Sequence, residues 1–99
     1  MSALETLNTT AIPEFCKKNH IQKLSVFGSM ARGDFREDSD VDVLVTFLPD
    51  TKVGLIALSR MAIELSEIFG RKVDLVTERS LKHMIKDAVI SEAEVLYAA

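Results

Sequence analysis

The stretch Val41-Asp-Val-Leu-Val-Thr-Phe47 constrains this chain more than any other. It is rich in β-branched residues that fit a pleated surface, and nothing in it breaks a strand. Successive strand side chains point to opposite faces. Val41, Val43 and Val45 therefore share one face, suited to a core, while Asp40 and Asp42 share the other. A fold built on this strand must bury one side and keep two carboxylates together on the opposite one.

The remaining elements read around it. Ile21–Phe27 is a predicted strand through Leu24, Val26 and Phe27, ended by Gly28-Ser29. Apolar residues recur at helical spacing from Val53 to Phe69 (Leu55, Leu58, Met61, Ala62, Leu65, Ile68, Phe69), with Gly70 as the stop. Residues 72–76 form a third, short strand. Upstream, Ser2 and Glu5 have capping-box spacing, and with Leu4 and Leu7 they predict a short helix near 3–9. Thr10 followed by Pro13-Glu14 predicts a second helix start, with Phe15 and Cys16 facing inward. Lys17 and Lys18 complement its C-terminal dipole, and Asn19 suits a left-handed cap. Ser29–Gly33 fits one helical turn, and 34–39 is polar loop. Thr77 or Ser80 caps a further helix, with Leu81, Met84, Ile85, Ala88 and Val89 on one face. Glu94–Ala98 fits either a last strand or the end of that helix.

This order predicts an α/β (α+β) fold, a small mixed β-sheet with helices packed against it. At 99 residues the expectation is a single domain over 1–99. The chain is 47% hydrophobic and 27% charged, which excludes a disordered class. The sequence has no apolar run of about 18 residues, so no membrane span is expected. No secretory signal is read at the start, and the single cysteine, Cys16, cannot form an internal disulfide. Both point to a cytoplasmic, reducing setting. The net charge of −3 argues against direct nucleic-acid binding. That charge is local: from Arg32 to Asp42 five acids stand against two bases, so the window alone carries the whole-chain value. A charge run is commonly a solvated loop; the order of its residues suggests a cation site.

Two carboxylates on one face repel each other unless a cation or proton lies between them. Oxygen ligands of this kind suit Mg²⁺, which often binds through carboxylates and substrate phosphates. Asp74 offers a third carboxylate, lying between Val73 and Leu75 in a strand otherwise apolar, where a charge needs a partner. If the strands of 41–47 and 72–76 are neighbours, the three acids meet at one end of the sheet and could share two ions. Gly28-Ser29 falls at a strand-to-helix junction, where glycine allows close backbone approach and free amides attract phosphate. The Ser29 hydroxyl and the Arg32 guanidinium can add contacts to a triphosphate.

The set Gly28-Ser29-Met-Ala-Arg32-Gly33, ten spacer residues from Ser29 to Asp40, then Ser39-Asp40-Val-Asp42 and Val73-Asp74-Leu75-Val76, resembles the minimal nucleotidyltransferase domain of the DNA polymerase β superfamily. The resemblance covers nearly the whole chain. It implies a polymerase β-like nucleotidyltransferase core in which Asp40 and Asp42 bind two Mg²⁺ ions. It implies that Asp74 binds the catalytic ion and helps activate the attacking hydroxyl. Gly28, Ser29 and Arg32 would hold the nucleoside triphosphate. Many relatives of this type are antitoxins encoded beside a HEPN-type toxin. The implied reaction is transfer of AMP from ATP to a tyrosine of that toxin, as in a type VII-like antitoxin. The alternative is a non-catalytic antitoxin that masks its partner by complex formation. Transfer to a small molecule is disfavoured, because antibiotic-modifying relatives usually carry an added helical domain. A homo-oligomer stays open.

Other residues are read as structural. His20 and His83 lack metal-ligand spacing and are placed at a helix end and a helix surface. Cys16 and Tyr97 are packing residues. Lys82 and Lys86 form a solvated strip. Arg36 is either a loop counter-charge or a phosphate contact.

Overall fold

A computed structural model describes residues 10–28, 40–81 and 83–99. Four strands form one mixed sheet: β1 (Ile21–Phe27), β2 (Val41–Phe47), β3 (Val73–Thr77) and β4 (Glu94–Ala98), in the order β3-β2-β1-β4. β1 runs antiparallel to both β2 and β4, whereas β2 and β3 are parallel. Three helices accompany them: α1 (Ile12–Lys18), α2 (Leu55–Phe69) and α3 (His83–Glu92), with a short 3-10 turn at Glu78–Ser80. The mixed sheet with packed helices is the expected fold class. The predicted helix near 3–9, the turn at 29–33 and the loop at 34–39 lie outside the described residues.

The core sits on one face of the sheet. α1 contributes Ile12, Phe15 and Cys16; α2 contributes Met61, Leu65 and Phe69. Beneath them lie Leu24 and Val26 of β1, Val41, Val43 and Val45 of β2, and Val73 of β3. The three β2 valines are at most 1% exposed, as the alternation requires. Each contributes about 1.5–3 kcal/mol by leaving water. The second face is partly covered as well. Ser25 and Leu44 are buried, and they line a small cavity together with Ile90 of α3 and Ala93 just after it. Tyr97 and Leu96 pack against the core from β4.

Local chemistry explains where several elements begin and end. Pro13 sits in the first turn of α1, but Ala11 is the N-cap and no side chain caps it. Asn19 does not adopt the expected left-handed conformation: its φ is −103°. Its side-chain amide instead donates to the Phe15 carbonyl at 2.9 Å, which closes the helix directly. The chain reversal passes to His20, at φ 56°, whose carbonyl accepts from Leu48 N–H at 2.9 Å. Lys18 also pairs with Glu64 of α2 at 2.7 Å, an exposed ion pair worth less than about 1 kcal/mol.

α2 begins two residues later than Val53, with Gly54 as an extended N-cap, and stops as predicted at Gly70, which is left-handed at φ 68°. Leu55, one of the apolar residues at helical spacing, is 83% exposed, whereas Ala57 and Leu58 of the same turn pack against the core. β3 is displaced by one residue to Val73–Thr77. The Thr77 hydroxyl accepts from Ser80 N–H at 3.2 Å, so it caps the 3-10 turn rather than α3. On α3, Ala88 is exposed and Val89 half-buried, and the side chains of 83–86 lie outside the description. Glu94–Ala98 resolves as a strand. Among the described residues no helix is long and apolar enough to cross a membrane.

Burial pushes the Cys16 thiol up from 9.0 to about 12. In the unfolded chain the thiol ionises near its ordinary value, while the folded one stays protonated. Its contribution to stability is therefore complete below pH 9.0 and is lost as pH rises toward about 12. Urea midpoints measured from about pH 8 to about pH 11 should fall more steeply for the wild type than for Cys16→Ala. Parallel profiles would contradict this.

Candidate active site

Three structural elements converge at the end of the sheet where β1 finishes and β2 begins. β1 exits through Gly28, a buried residue at φ 70°. Asp40 lies immediately before β2 and Asp42 within it. Parallel pairing sets Val41 against Val73 and Asp42 against Asp74. The first rung is the hydrogen bond from Val41 N–H to the Lys72 carbonyl, at 2.9 Å. Paired residues on adjacent strands lie about 5 Å apart and point to the same face. Asp42 and Asp74 are thus neighbours on the face opposite the core, and alternation puts Asp40 on that face too. Asp42 is half-buried; Asp40 and Asp74 are exposed.

Asp74 needs no buried partner. β3 is an edge strand, and only Val73 and Leu75 turn toward the helices. Its charge keeps water, contrary to the expectation of an uncomfortable position.

Gly28 is tied to Asp42 by close approach. In the antiparallel register Asp42 stands opposite Phe27, one residue before Gly28. A Cβ built on Gly28 would collide with Asp42 Oδ2 and lie 3.3 Å from its Cγ. The backbone at 28 therefore leaves room for a carboxylate. Ser29, Arg32 and Arg36 lie outside the described residues.

The donor set is oxygen-only, which is the chemistry Mg²⁺ requires. Register and a shared face bring Asp40, Asp42 and Asp74 to one sheet end. Their side chains do not close into a preformed cage: among the described residues no three carboxylate, imidazole or thiolate groups converge closely enough to hold an ion.

The beginning of β3 is fastened to α2 by Ser66. Its hydroxyl accepts from Val73 N–H at 3.1 Å and donates to the Ala62 carbonyl at 2.7 Å. Nothing in the sequence singles out this serine, because one inside a helix commonly bonds back to its own turn. At the far end of β2 and β3 lies a cavity of about 560 Å³, lined among others by Phe47, Lys52, Val53, Thr77 and Glu78. Thr46 donates to Glu78 at 3.3 Å nearby. Gly28, Asp40, Asp42 and Asp74 do not line this cavity.

Known proteins place the chain in a family. Residues 10–96 match the family described as nucleotidyltransferase domain. The protein adenylyltransferase MntA of Thermococcus cleftensis is 34% identical over 92 residues, 93% of this chain and 91% of its own. The chain belongs to the minimal nucleotidyltransferase family. A relative from Methanocaldococcus jannaschii, provisionally named a protein adenylyltransferase, is 38% identical over 76 residues, 77% of this chain and 80% of its own. Among solved structures, a toxin–antitoxin complex with AMP-PNP aligns at a TM-score of 0.78 and 26% identity, covering 94% of this chain and 75% of that one. A chain in the complex of tri-AMPylated Shewanella oneidensis HEPN toxin with MNT antitoxin shares the fold at 24% identity and a TM-score of 0.69; the match covers all of this chain and 74% of that one. The chain is accordingly a nucleotidyltransferase, with relatives named for protein adenylylation.

Gly28 and Gly70 have nearly equal φ, 70° and 68°, but only Gly28 has a carboxylate in the path of a Cβ. Gly70→Ala should lose about 1–2 kcal/mol from the left-handed backbone alone. Gly28→Ala should lose more, because Asp42 must also move. Denaturant melts of both variants check this, and equal losses would refute the close approach.

Proposed function

We propose that this chain is a Mg²⁺-dependent protein adenylyltransferase and antitoxin that transfers AMP from ATP to a tyrosine hydroxyl of a HEPN-type toxin encoded beside it. One domain over 1–99, working in the cytoplasm, carries the activity. The observation that carries the reading is the in-register Asp42–Asp74 pair beside Gly28. The family match and the antitoxin structures support it. A cytoplasmic setting is supported by the free, buried Cys16.

The residues divide the work. Asp40 and Asp42 would hold the two ions, with Asp74 as a further ligand. Bound there, Mg²⁺ supplies charge stabilisation to the oxygens of phosphoryl transfer. Gly28, lacking a Cβ, leaves the Asp42 carboxylate its place, and its backbone together with Ser29 and Arg32 would contact the triphosphate. Asp74 orients the tyrosine hydroxyl and takes up its proton as the bond to phosphorus forms. The oxygen attacks the α-phosphorus in line, the bond to the bridging oxygen breaks, and pyrophosphate leaves. Catalysis rests mainly on position and electrostatics.

Asp42→Asn keeps the side-chain shape and removes the charge. With purified toxin, Mg²⁺ and α-labelled ATP, it should transfer label at least about 100-fold more slowly than wild type, since even groups one step removed from a metal cost 10–100-fold. Binding of the toxin should be retained. A variant that labels as fast as wild type defeats the enzymatic reading. An unlabelled but neutralised toxin with the wild type would mean that the protein acts by masking.

A further inference from the structure

We propose that Ser66 is a positioning residue for Asp74: it fixes where β3 begins against β2 and so holds the Asp42–Asp74 pair ready for a divalent cation. This rests on the metal-dependent transfer proposed above.

Ser66 is half-buried on α2 and gathers the backbone between helix and strand. Its carbonyl accepts from Gly70 N–H and, at 3.1 Å, from Arg71 N–H. Its hydroxyl accepts from Val73 N–H at 3.1 Å while donating to the Ala62 carbonyl at 2.7 Å. One residue thus binds amides from the helix stop through to the first strand residue.

The Val73 bond matters because of how parallel strands pair. Alternate residues turn their backbone groups toward the neighbouring strand. Val41 donates to the Lys72 carbonyl at 2.9 Å, so Lys72 faces β2 and Val73 turns its amide outward. β3 is the edge strand, so no further strand of the sheet takes that amide. The Ser66 hydroxyl does. The start of β3 is therefore held on both sides: at Lys72 by the ladder to β2 and at Val73 by α2.

Asp74 is sensitive to that hold. A shift of one residue would turn its carboxylate to the core face. A displacement of only about 0.5 Å spoils the geometry a metal site needs. A hydroxyl that both donates and accepts keeps the strand start in fixed relation to the helix axis.

The test uses the full chain and Mn²⁺ alone as the probe, read by water-proton relaxation, beside the Mg²⁺ dependence of toxin labelling. Ser66→Ala should weaken Mn²⁺ binding about tenfold and raise the half-saturating Mg²⁺ by a similar factor. Ser66→Thr, which keeps the hydroxyl, should restore both. Ser91→Ala is the control: that hydroxyl bonds the Ala88 carbonyl at 2.9 Å, within its own helix, and its loss should change neither readout. If Ser66→Ala does not fold, Ser66→Cys, with a poorer acceptor, carries the same expectation. Wild-type Mn²⁺ affinity in Ser66→Ala, or a loss that Ser66→Thr does not repair, overturns the positioning role and leaves the adenylyltransferase reading intact. A wild-type protein that neither binds Mn²⁺ nor labels the toxin overturns that reading and this inference with it.

Discussion

The parallel pairing of β2 with β3 is the interaction on which the site depends. Parallel neighbours cannot be joined by a tight turn, so a helix must cross between them. Here α2 makes that crossing and buries Met61, Leu65 and Phe69 against the sheet. The same crossing delivers Asp74 to the side of Asp42, although 31 residues separate them in the sequence. Fold stability and site geometry are therefore set by one packing event. Loosening α2 would cost core area and blur the acidic pair together.

Alternation along β2 makes the arrangement economical. Val41, Val43 and Val45 anchor the strand in the core, and each valine fixes the direction of the residue before or after it. Asp42 cannot turn inward without expelling a valine that contributes about 1.5–3 kcal/mol. The carboxylates are held outward by hydrophobic burial on the opposite face. Like charges at one sheet end are tolerated because Asp40 and Asp74 remain in water, where charges about 5 Å apart repel by only about 1 kcal/mol.

Much of this was legible in the sequence because its signals are local. β1 and β2 match their predicted bounds, since uninterrupted β-branched and apolar runs leave little choice. Gly70 ends α2 because only a left-handed residue continues the chain there. Asp42 and Asp74 could be named from alternation and from the family resemblance, yet their register could not be computed from either strand alone. The misses come from competition between local options. Asn19 can cap a helix by its backbone or by its side chain, and the side-chain bond to Phe15 wins, moving the left-handed turn to His20. Thr77 can cap two successive turns and takes the nearer one. Leu55 has helical spacing with the residues that are buried further along, yet it stays 83% exposed, while Ala57 and Leu58 of the same turn pack against the core. Ser66 was invisible for the opposite reason: its significance lies in what a tertiary contact places beside it.

The exposure of Asp40 and Asp74 bears on how such a domain would work. Carboxylates open to water interact weakly with ions and with each other, because solvent screens them. Electrostatic catalysis gains its strength in places from which water is excluded. On the proposed reading a phosphate chain laid along Gly28 would cover one side of Asp42 and leave the Asp74 side open toward the edge of the sheet. On the proposed reading an acceptor protein arriving there would bring the hydroxyl and remove the water in one step. Chemistry would then be coupled to docking, and an unoccupied acceptor side would leave ATP bound but slow to react. That coupling suits an enzyme whose target is a single partner: selectivity comes from which surface can dry the site, and the small domain needs no substrate pocket of its own.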